Sequence, residues 1–532
     1  MKQQPLRLYL LAVIMFLGMA GLAMRLMQVS QKKELTETGT KQGRYLLHLS
    51  LSTGTVYDRY MKPLTNSEDV IYAAASPSAQ ALAPYFSILK DRDIVSESIK
   101  SNAPFVCELT ENADSSGQVC VLQGKKSKDG VLPAQHLIGY RQNGIGIAGL
   151  EASFSDWLTL CDSDADISLS VSARGDVLAG AENSVRVGNP LGGGIVTTLD
   201  KRMQQITDAA LSEIHAQGAA AIVLDCKSGD ILASSSYPVY DPQHLADAMN
   251  APNAPFLNRV LCAYNVGSVF KLVTAAAALE SGITSGYRFD CSGQTEVYGQ
   301  RFRCHRLSGH GLLDMEQAMI ESCNPYFISL SSLISASQLW STADALGFGK
   351  EVVLAEDLAS VKGNLPSKLE LTIEAEKANL SFGQGQLLAS PLQICAMTAC
   401  IANNGVYSYP RLVIGETSDG LTPMRNTPPK QCYGISADTS AVLREMMCAV
   451  LRDDAHENGR PYGISAGGKT STAQTGQYEK EGIEYCHAWM TGFFPEEDPQ
   501  YAVTVFVENG GSGNQAAAPV FRRIIEEISR LQ

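Results

Sequence analysis

Positive charge is in short supply in this 532-residue chain: 42 Lys and Arg stand against 55 Asp and Glu, a formal net charge of −13. A chain of that sign repels polyphosphate, which excludes nucleic acid as a principal partner, although a local basic spot can still hold a carboxylate. Fixed-period repeats are absent, and with them a repeat array. Charged residues make up only 18% and hydrophobic ones 45%, a balance that excludes global disorder and suits a folded protein. Apolar runs of membrane-spanning length are absent after the N-terminal one, so one crossing is expected. No clear small-x-small pattern follows that run, which argues against a cleaved signal peptide. The 13 cysteines are too dilute for a small disulfide scaffold, and their odd number forbids complete pairing. Most read as small buried apolar residues. In a chain lying outside the cytoplasm, so many thiols suggest a reducing or anaerobic habitat, or a metal. The length exceeds what one core holds and predicts two or three domains.

What is present begins with an anchor. Leu8 to Met24 (LYLLAVIMFLGMAGLAM) carries no charge, and Leu26, Met27 and Val29 extend it past Arg25. About 20 apolar residues cross a bilayer as a helix, and Arg25 can snorkel to the interface. Lys2 and Arg7 favour a cytoplasmic N-terminus, which puts the remainder outside. Residues 1–30 are therefore expected to be a cytoplasmic tip and signal-anchor helix, 31–190 a mixed α+β region, and 191–532 a further domain. The turn-rich Asn189-Pro-Leu-Gly-Gly-Gly-Ile195 marks the boundary.

Beyond it the pattern becomes regular. Ala219 to Asp225 and Ile231 to Ser236 read as a hairpin about the turn Lys227-Ser-Gly-Asp230. Ser268 to Glu280 reads as one helix, preceded by the breaker Gly267 and stopped by Gly282. Thr470 to Thr475, His487 to Phe494 and Tyr501 to Glu508 read as strands, and Val520 to Leu531 as a closing amphipathic helix. Early strands, a helical middle and late strands predict an antiparallel sheet flanked by helices, an α+β fold.

Three patterns carry chemistry. In Ser268-Val-Phe-Lys271, a serine at a helix start has a lysine one turn along on the same face. A serine hydroxyl needs a neighbouring base, and a lysine whose pKa is lowered by burial or a nearby cation can serve. Alone, S-x-x-K is a weak signal. Ser322-Cys-Asn324 follows, then Gly468-Lys469-Thr470-Ser471-Thr472 at a strand start. Their order and spacing fit the S-x-x-K, S-D-N and K-T-G set of penicillin-binding proteins and class A β-lactamases.

The chain resembles a class B penicillin-binding protein over nearly its whole length. Ser52-Thr-Gly-Thr-Val-Tyr-Asp-Arg59 with Pro63-Leu64 is similar to the motif that follows the membrane segment in that family, with Thr53 where Arg is usual. His136-Leu-Ile-Gly-Tyr140 and Gly149-Leu-Glu151 resemble motifs of the family's pedestal domain, which 31–190 would form. Val196-Thr-Thr-Leu-Asp200 resembles the start of its transpeptidase domain. Tyr264-Asn-Val-Gly-Ser-Val-Phe-Lys271 resembles its nucleophile box, with Val266 in place of proline. His487-Ala-Trp489 through Pro495, and Glu508-Asn-Gly-Gly-Ser-Gly513, resemble its last strands.

The resemblance implies a penicillin-binding, serine β-lactamase-like fold and a D,D-transpeptidase of the cell membrane that cross-links peptidoglycan stem peptides. It implies that Ser268 attacks the carbonyl of the penultimate D-Ala and that Lys271 takes its proton. Ser322 would relay protons and Asn324 would position Lys271 and the substrate amide. Lys469 and Thr470 would hold the terminal carboxylate, and the backbone N–H groups of Ser268 and Thr472 would form the oxyanion hole. No cofactor is required. β-Lactams would trap Ser268, and a membrane glycosyltransferase is the implied partner. Ser471 departs from the glycine of the K-T-G box; its bulk is expected to bear on substrate or β-lactam. Because of it, a catalytically weak scaffold for a glycosyltransferase stays an alternative, as does a β-lactam-hydrolysing or sensing relative. No E-D-x-x-F-type motif precedes the boundary, so a glycosyltransferase domain is not expected.

Cys291, Cys304, His310 and Cys323 fall in one window between the first two boxes and suit a closed tetrahedral zinc site. Their spacing is not that of a standard finger, and a Cys291–Cys304 disulfide or separate thiols are alternatives. Trp489 and Phe493 are expected to pack on the sheet, His487 to be a strand residue, and Asp58-Arg59 to form a buried ion pair.

Overall fold

The computed structural model describes residues 4–30, 44–101, 103–116, 118–170, 184–424, 426–478 and 482–531. Lys2 lies outside them. The chain forms two compact units. One comprises Met1–Thr53, Glu68–Lys126 and Asp162–Leu191; the other comprises Gly54–Ser67, Ser127–Cys161 and Gly192–Gln532. The division is thus not a single cut near residue 190. Thr55–Tyr57 pairs in parallel with Gly194–Thr197, which also pairs antiparallel with Val413–Thr417, and this draws the early segment into the larger unit.

The apolar N-terminus forms the helix Gln4–Ser30, in which Tyr9–Val29 spans 21 residues at mean hydropathy 2.1. At 1.5 Å per residue that is about 31 Å, the thickness of a bilayer's hydrocarbon core. In the same unit Arg44–Ser52 pairs with Ser163–Ser170, and Glu68–Ala75 lies between Phe105–Leu109 and Val119–Lys126. Ala165, Ile167 and Leu169 alternate inward and pack with Leu51, Ala74 and Cys120.

The larger unit is built on five strands: β1 (Gly218–Asp225), β2 (Ile231–Tyr237), β3 (Gly467–Tyr478), β4 (Glu484–Phe494) and β5 (Tyr501–Glu508). They lie in the order β2-β1-β5-β4-β3, all antiparallel, as the late and early runs predict. Helices of this unit are α1 (Lys201–Ser212), α2 (Lys271–Glu280), α3 (Asn324–Ser332), α4 (Pro391–Ala402), α5 (Ala437–Arg452) and α6 (Ala518–Ser529).

Strand period explains how the sheet holds two layers. Ala219, Ala221 and Val223 of β1 face α1 and α6, where they meet Leu211, Phe521, Ile524 and Ile528. Ala220, Ile222 and Leu224 point the other way, into the core that contains α2, α3, α4 and α5. Covered on both faces, β1 carries no polar side chain between Gly218 and Asp225. All twelve residues of α4 are buried, and its N-terminus is closed by a capping box between Ser390 and Gln393. Trp489 and Phe493 are fully buried on the sheet, as expected.

Asp58 and Arg59 do not pair with each other. Asp58 accepts backbone N–H groups of Tyr60 and Lys62, each at 2.8 Å, and of Lys201 at 3.2 Å. A carboxylate filled by main-chain donors in such a turn has no geometry left for its neighbour. Arg59 instead reaches Asp230 at 3.9 Å, which Arg411 grips at 2.6 Å.

Candidate active site

Between Asn265 and Lys271 the chain turns sharply. Gly267 has φ +63°, a left-handed conformation that favours glycine, and its N–H donates to the Gly383 carbonyl at 2.9 Å. The expected single helix is two pieces: a 3-10 turn, Gly267–Phe270, leads into α2 at Lys271. The tighter turn still stacks Ser268 and Lys271 on one side. Ser268 is partly exposed to a cleft of about 1160 Å³, while Lys271 is fully buried behind it.

Ser322 also has a left-handed backbone, with φ +51°. This turn is held between Ile320 and α3, whose first turn contains Pro325. It aims three oxygens at the lysine. Lys271 Nζ lies 2.9 Å from Ser268 Oγ, 3.0 Å from Ser322 Oγ, 2.6 Å from the Ser322 carbonyl and 2.7 Å from Asn324 Oδ1. The carbonyl and the amide oxygen can only accept, so they take N–H groups from the amine. In the neutral amine the lone pair is left for the hydroxyls.

That neutral form is favoured. Burial, reinforced by the charge of Lys469, holds the Lys271 pKa well below the usual lysine range. Lys469 lies on β3 opposite Thr491, is itself fully buried, and is pushed by burial to about 8. Ser268, Lys271, Ser322 and Asn324 thus converge from a 3-10 turn, a loop and the first residues of α2 and α3, and Lys469 of β3 is near enough for its charge to act on Lys271.

Along β3, Thr470 and Thr472 line the cleft, and the Thr472 hydroxyl accepts the Gly513 N–H at 3.2 Å. Ser471 lies between them at the cleft. Strand alternation turns its side chain away from Thr470 and Thr472, and its hydroxyl donates to the Val266 carbonyl at 2.8 Å. Ser471 borders the cleft with its neighbours, but its hydroxyl is engaged beneath the nucleophile turn.

Beside this centre, one ligand atom each from Cys291, Cys304, His310 and Cys323 lies within 4.8 Å of the others. All thirteen cysteines are free, so the Cys291–Cys304 disulfide is not formed. His310 Nδ1 is 3.5 Å from Cys304 Sγ, and its Nε2 is 3.4 Å from Glu321 Oε2. Tetrahedral zinc with sulfur at about 2.3 Å needs sulfurs about 3.8 Å apart, so the cluster is close to the required size. The carboxylate behind the imidazole is the usual outer partner of a metal-bound histidine.

Sequence reasoning missed three contributors. His456 lines the cleft with Nε2 3.0 Å from the Ile320 carbonyl, and its pKa is lowered by burial and by Lys469. Trp489 donates its indole N–H to the Asn265 carbonyl at 2.9 Å. Glu321 backs His310. None falls in a catalytic box: Trp489 belongs to the strand motif His487-Ala-Trp489, which marks its packing on the sheet but not its bond to the turn, His456 meets a partner distant in sequence, and the one signal for Glu321 is adjacency to Ser322.

Residues 219–526 match the family model of the penicillin binding protein transpeptidase domain. The chain belongs to that family. Among curated members it is 29% identical over 413 residues to stage V sporulation protein D of Bacillus subtilis, covering 74% of this chain and 62% of that protein's length. It is 29% identical over 370 residues to the peptidoglycan D,D-transpeptidase PbpA of Mycolicibacterium smegmatis, covering 64% of this chain and 74% of the relative. Among solved structures, a chain of a peptidoglycan synthase complex that coordinates polymerization and crosslinking superposes with a TM-score of 0.70 at 23% identity, covering 99% of both chains. The ceftriaxone acyl-enzyme of penicillin-binding protein A from Mycobacterium tuberculosis gives 0.64 at 23% identity, covering 79% of this chain and 96% of that one. The penicillin-binding transpeptidase fold, mixed α+β, is the fold of this family member.

Proposed function

We propose that this protein is a serine D,D-transpeptidase that cross-links peptidoglycan stem peptides through an acyl-enzyme on Ser268. The observation that carries the reading is the 2.9 Å approach of the buried Lys271 amine, its pKa held low by burial and by Lys469, to the Ser268 hydroxyl. Lys271 takes the hydroxyl proton as Ser268 Oγ bonds to the carbonyl carbon of the penultimate D-Ala. The N–H groups of Ser268 and Thr472 stabilise the resulting oxyanion. The amide bond to the terminal D-Ala then breaks, and Ser322 passes the proton on to the departing amine. An amine of a second stem attacks the ester, returns its proton through the same groups and frees Ser268. Lys469, Thr470 and Thr472 hold the terminal carboxylate, and Asn324 keeps Lys271 aimed.

β-Lactams present the same carbonyl and stop at the ester, as the acyl-enzymes of the Mycobacterium tuberculosis relative do. The apolar N-terminal helix anchors the chain once in the cell membrane, with the transpeptidase unit outside. The relative within a synthase complex supports a membrane glycosyltransferase as partner. Cys291, Cys304, His310 and Cys323 hold zinc, which supplies a structural brace. Cys323 lies between Ser322 and Asn324, so these ligands fix the turn that aims both at Lys271.

Mass spectrometry after penicillin labelling tests the assignment. An adduct on Ser268 that is absent from Ser268→Ala is expected; an unmodified wild-type chain would instead favour a scaffold role. Metal analysis of the purified protein tests the cluster, and a stoichiometry far below one zinc per chain would end that reading.

A further inference from the structure

Two residues that stand in place of the family's proline and glycine meet in space. Ser471 Oγ donates to the Val266 carbonyl at 2.8 Å across 205 residues of sequence, and both residues are buried. Each adjoins one half of the oxyanion hole in the reading above. Val266 is two residues before Ser268, and Ser471 immediately precedes Thr472. The two halves belong to different elements, a turn and β3, so their separation must be fixed by contacts between those elements. Such constellations tolerate only about 0.5 Å of error.

The contacts converge on successive carbonyls. Ser471 and Trp489 are partners in register on β3 and β4. The Trp489 indole N–H takes the Asn265 carbonyl at 2.9 Å, and the Ser471 hydroxyl takes the next one. Between them the sheet holds two adjacent peptide units of the turn. Gly267 is closed against the same hydroxyl, since a Cβ there would stand 2.5 Å from Ser471 Oγ. The Val266 carbonyl also opens the 3-10 turn, so removing the hydroxyl takes away its contact with β3 and releases one of the two grips that tie the turn to the sheet.

We propose that Ser471 is a positioning residue that clamps the nucleophile turn to β3 and sets the spacing of the Ser268 and Thr472 oxyanion donors. The inference rests on Ser268 being the nucleophile and on those N–H groups forming the hole. It also says how the clamp can be replaced. Val266 has φ −93°, on the same side of the map as the value near −65° that proline imposes, so proline at 266, after a small shift of the turn, stiffens it through the backbone.

The test uses the full-length protein in detergent and a fluorescent penicillin, with stopped-flow separation of the binding constant from the acylation rate constant. Ser471→Ala and Ser471→Gly should each slow acylation about tenfold while binding changes less than about twofold, because the lost interaction acts on the transition state. Val266→Pro in the Ser471→Gly background should recover at least about threefold of that loss. Wild-type acylation in both single variants, or a loss confined to binding, would overturn the clamp. Ser268→Ala separates the two levels. Labelling that survives it sinks the nucleophile assignment, whereas abolished labelling with unaffected Ser471 variants sinks only this inference.

Discussion

Lys469 pushes the amine of Lys271 away from protonation, an effect second only to the burial of Lys271 itself. Both side chains are fully buried. Lys271 is contacted by two hydroxyls, an amide oxygen and a carbonyl, none of which carries a charge to hold its proton. In the proposed reaction the pair divides the work by environment: burial and Lys469 push Lys271 toward the neutral form that a base needs, and Lys469 supplies the charge for a carboxylate.

A pH dependence follows. Acylation of Ser268 should hold steady around pH 7 and fall as pH rises through about 8, where Lys469 loses its proton. The loss should be in binding more than in the acylation step, because the missing charge is the carboxylate anchor. Stopped-flow penicillin labelling across pH measures both, and a rate that keeps climbing well above that pH would contradict the division. Stability moves the other way. Between about 8 and 10.5 an unfolded chain keeps a proton that folded Lys469 has lost, so this residue makes the fold gain stability as pH rises.

Asn324→Asp offers a sharper probe of Lys271. It places a carboxylate where Asn324 Oδ1 now lies 2.7 Å from the amine. An anion that near raises the lysine pKa, protonates the base at pH 7 and should slow acylation on the order of a hundredfold. Raising the pH should restore part of the rate. An Asn324→Asp enzyme with a wild-type pH profile would remove Lys271 from the role of base.

Much of this site was legible in sequence because its residues sit in short local patterns. The strands of the main sheet were legible for the same reason: β1 is an unbroken apolar run between turns, and β5 is one interrupted only by Thr504. What stayed hidden is what depends on partners far away. Thr55–Tyr57 is too short to announce itself, and its parallel partner begins at Gly194. Asp58 and Arg59 invited a local pairing because only their adjacency was visible; the donors and acceptors that claim them are partly from residues 201 and 230. The direction of Ser471 was fixed by strand alternation, but the carbonyl it meets belongs to the other end of the domain. Cysteine and histidine identity marked the Cys/His cluster, whereas its closure depended on folding of the loops between them.

Loss of that cluster should reach the catalytic turn. Cys291→Ser leaves Ser322 and Asn324 untouched but removes one of four ligands. It should lower zinc content below one per chain, reduce the melting temperature by several degrees and slow acylation. Metal analysis, calorimetry and labelling on one preparation check the three together. A variant that melts and acylates like wild type would rule out bracing by the cluster.

Gly218 is required by a buried ion pair. It lies opposite Glu508 on β1 and β5, and the Arg259 guanidinium passes over it to reach Glu508 at 2.8 Å. The same guanidinium donates to the carbonyls of Asn253 at 2.9 Å and Ala254 at 3.3 Å. A Cβ on residue 218 would collide with Arg259 Nε and Glu508 Oε2. Gly218→Ala should therefore displace a cation whose side chain is only 4% exposed, at a cost of about 3 kcal/mol. Denaturant unfolding measures this loss. In an Arg259→Ala background the Glu508 side chain is no longer held by the guanidinium and can swing off the added methyl, so the cost of Gly218→Ala should largely vanish. An equal cost in both backgrounds would place its origin in the β1 backbone and not in the ion pair.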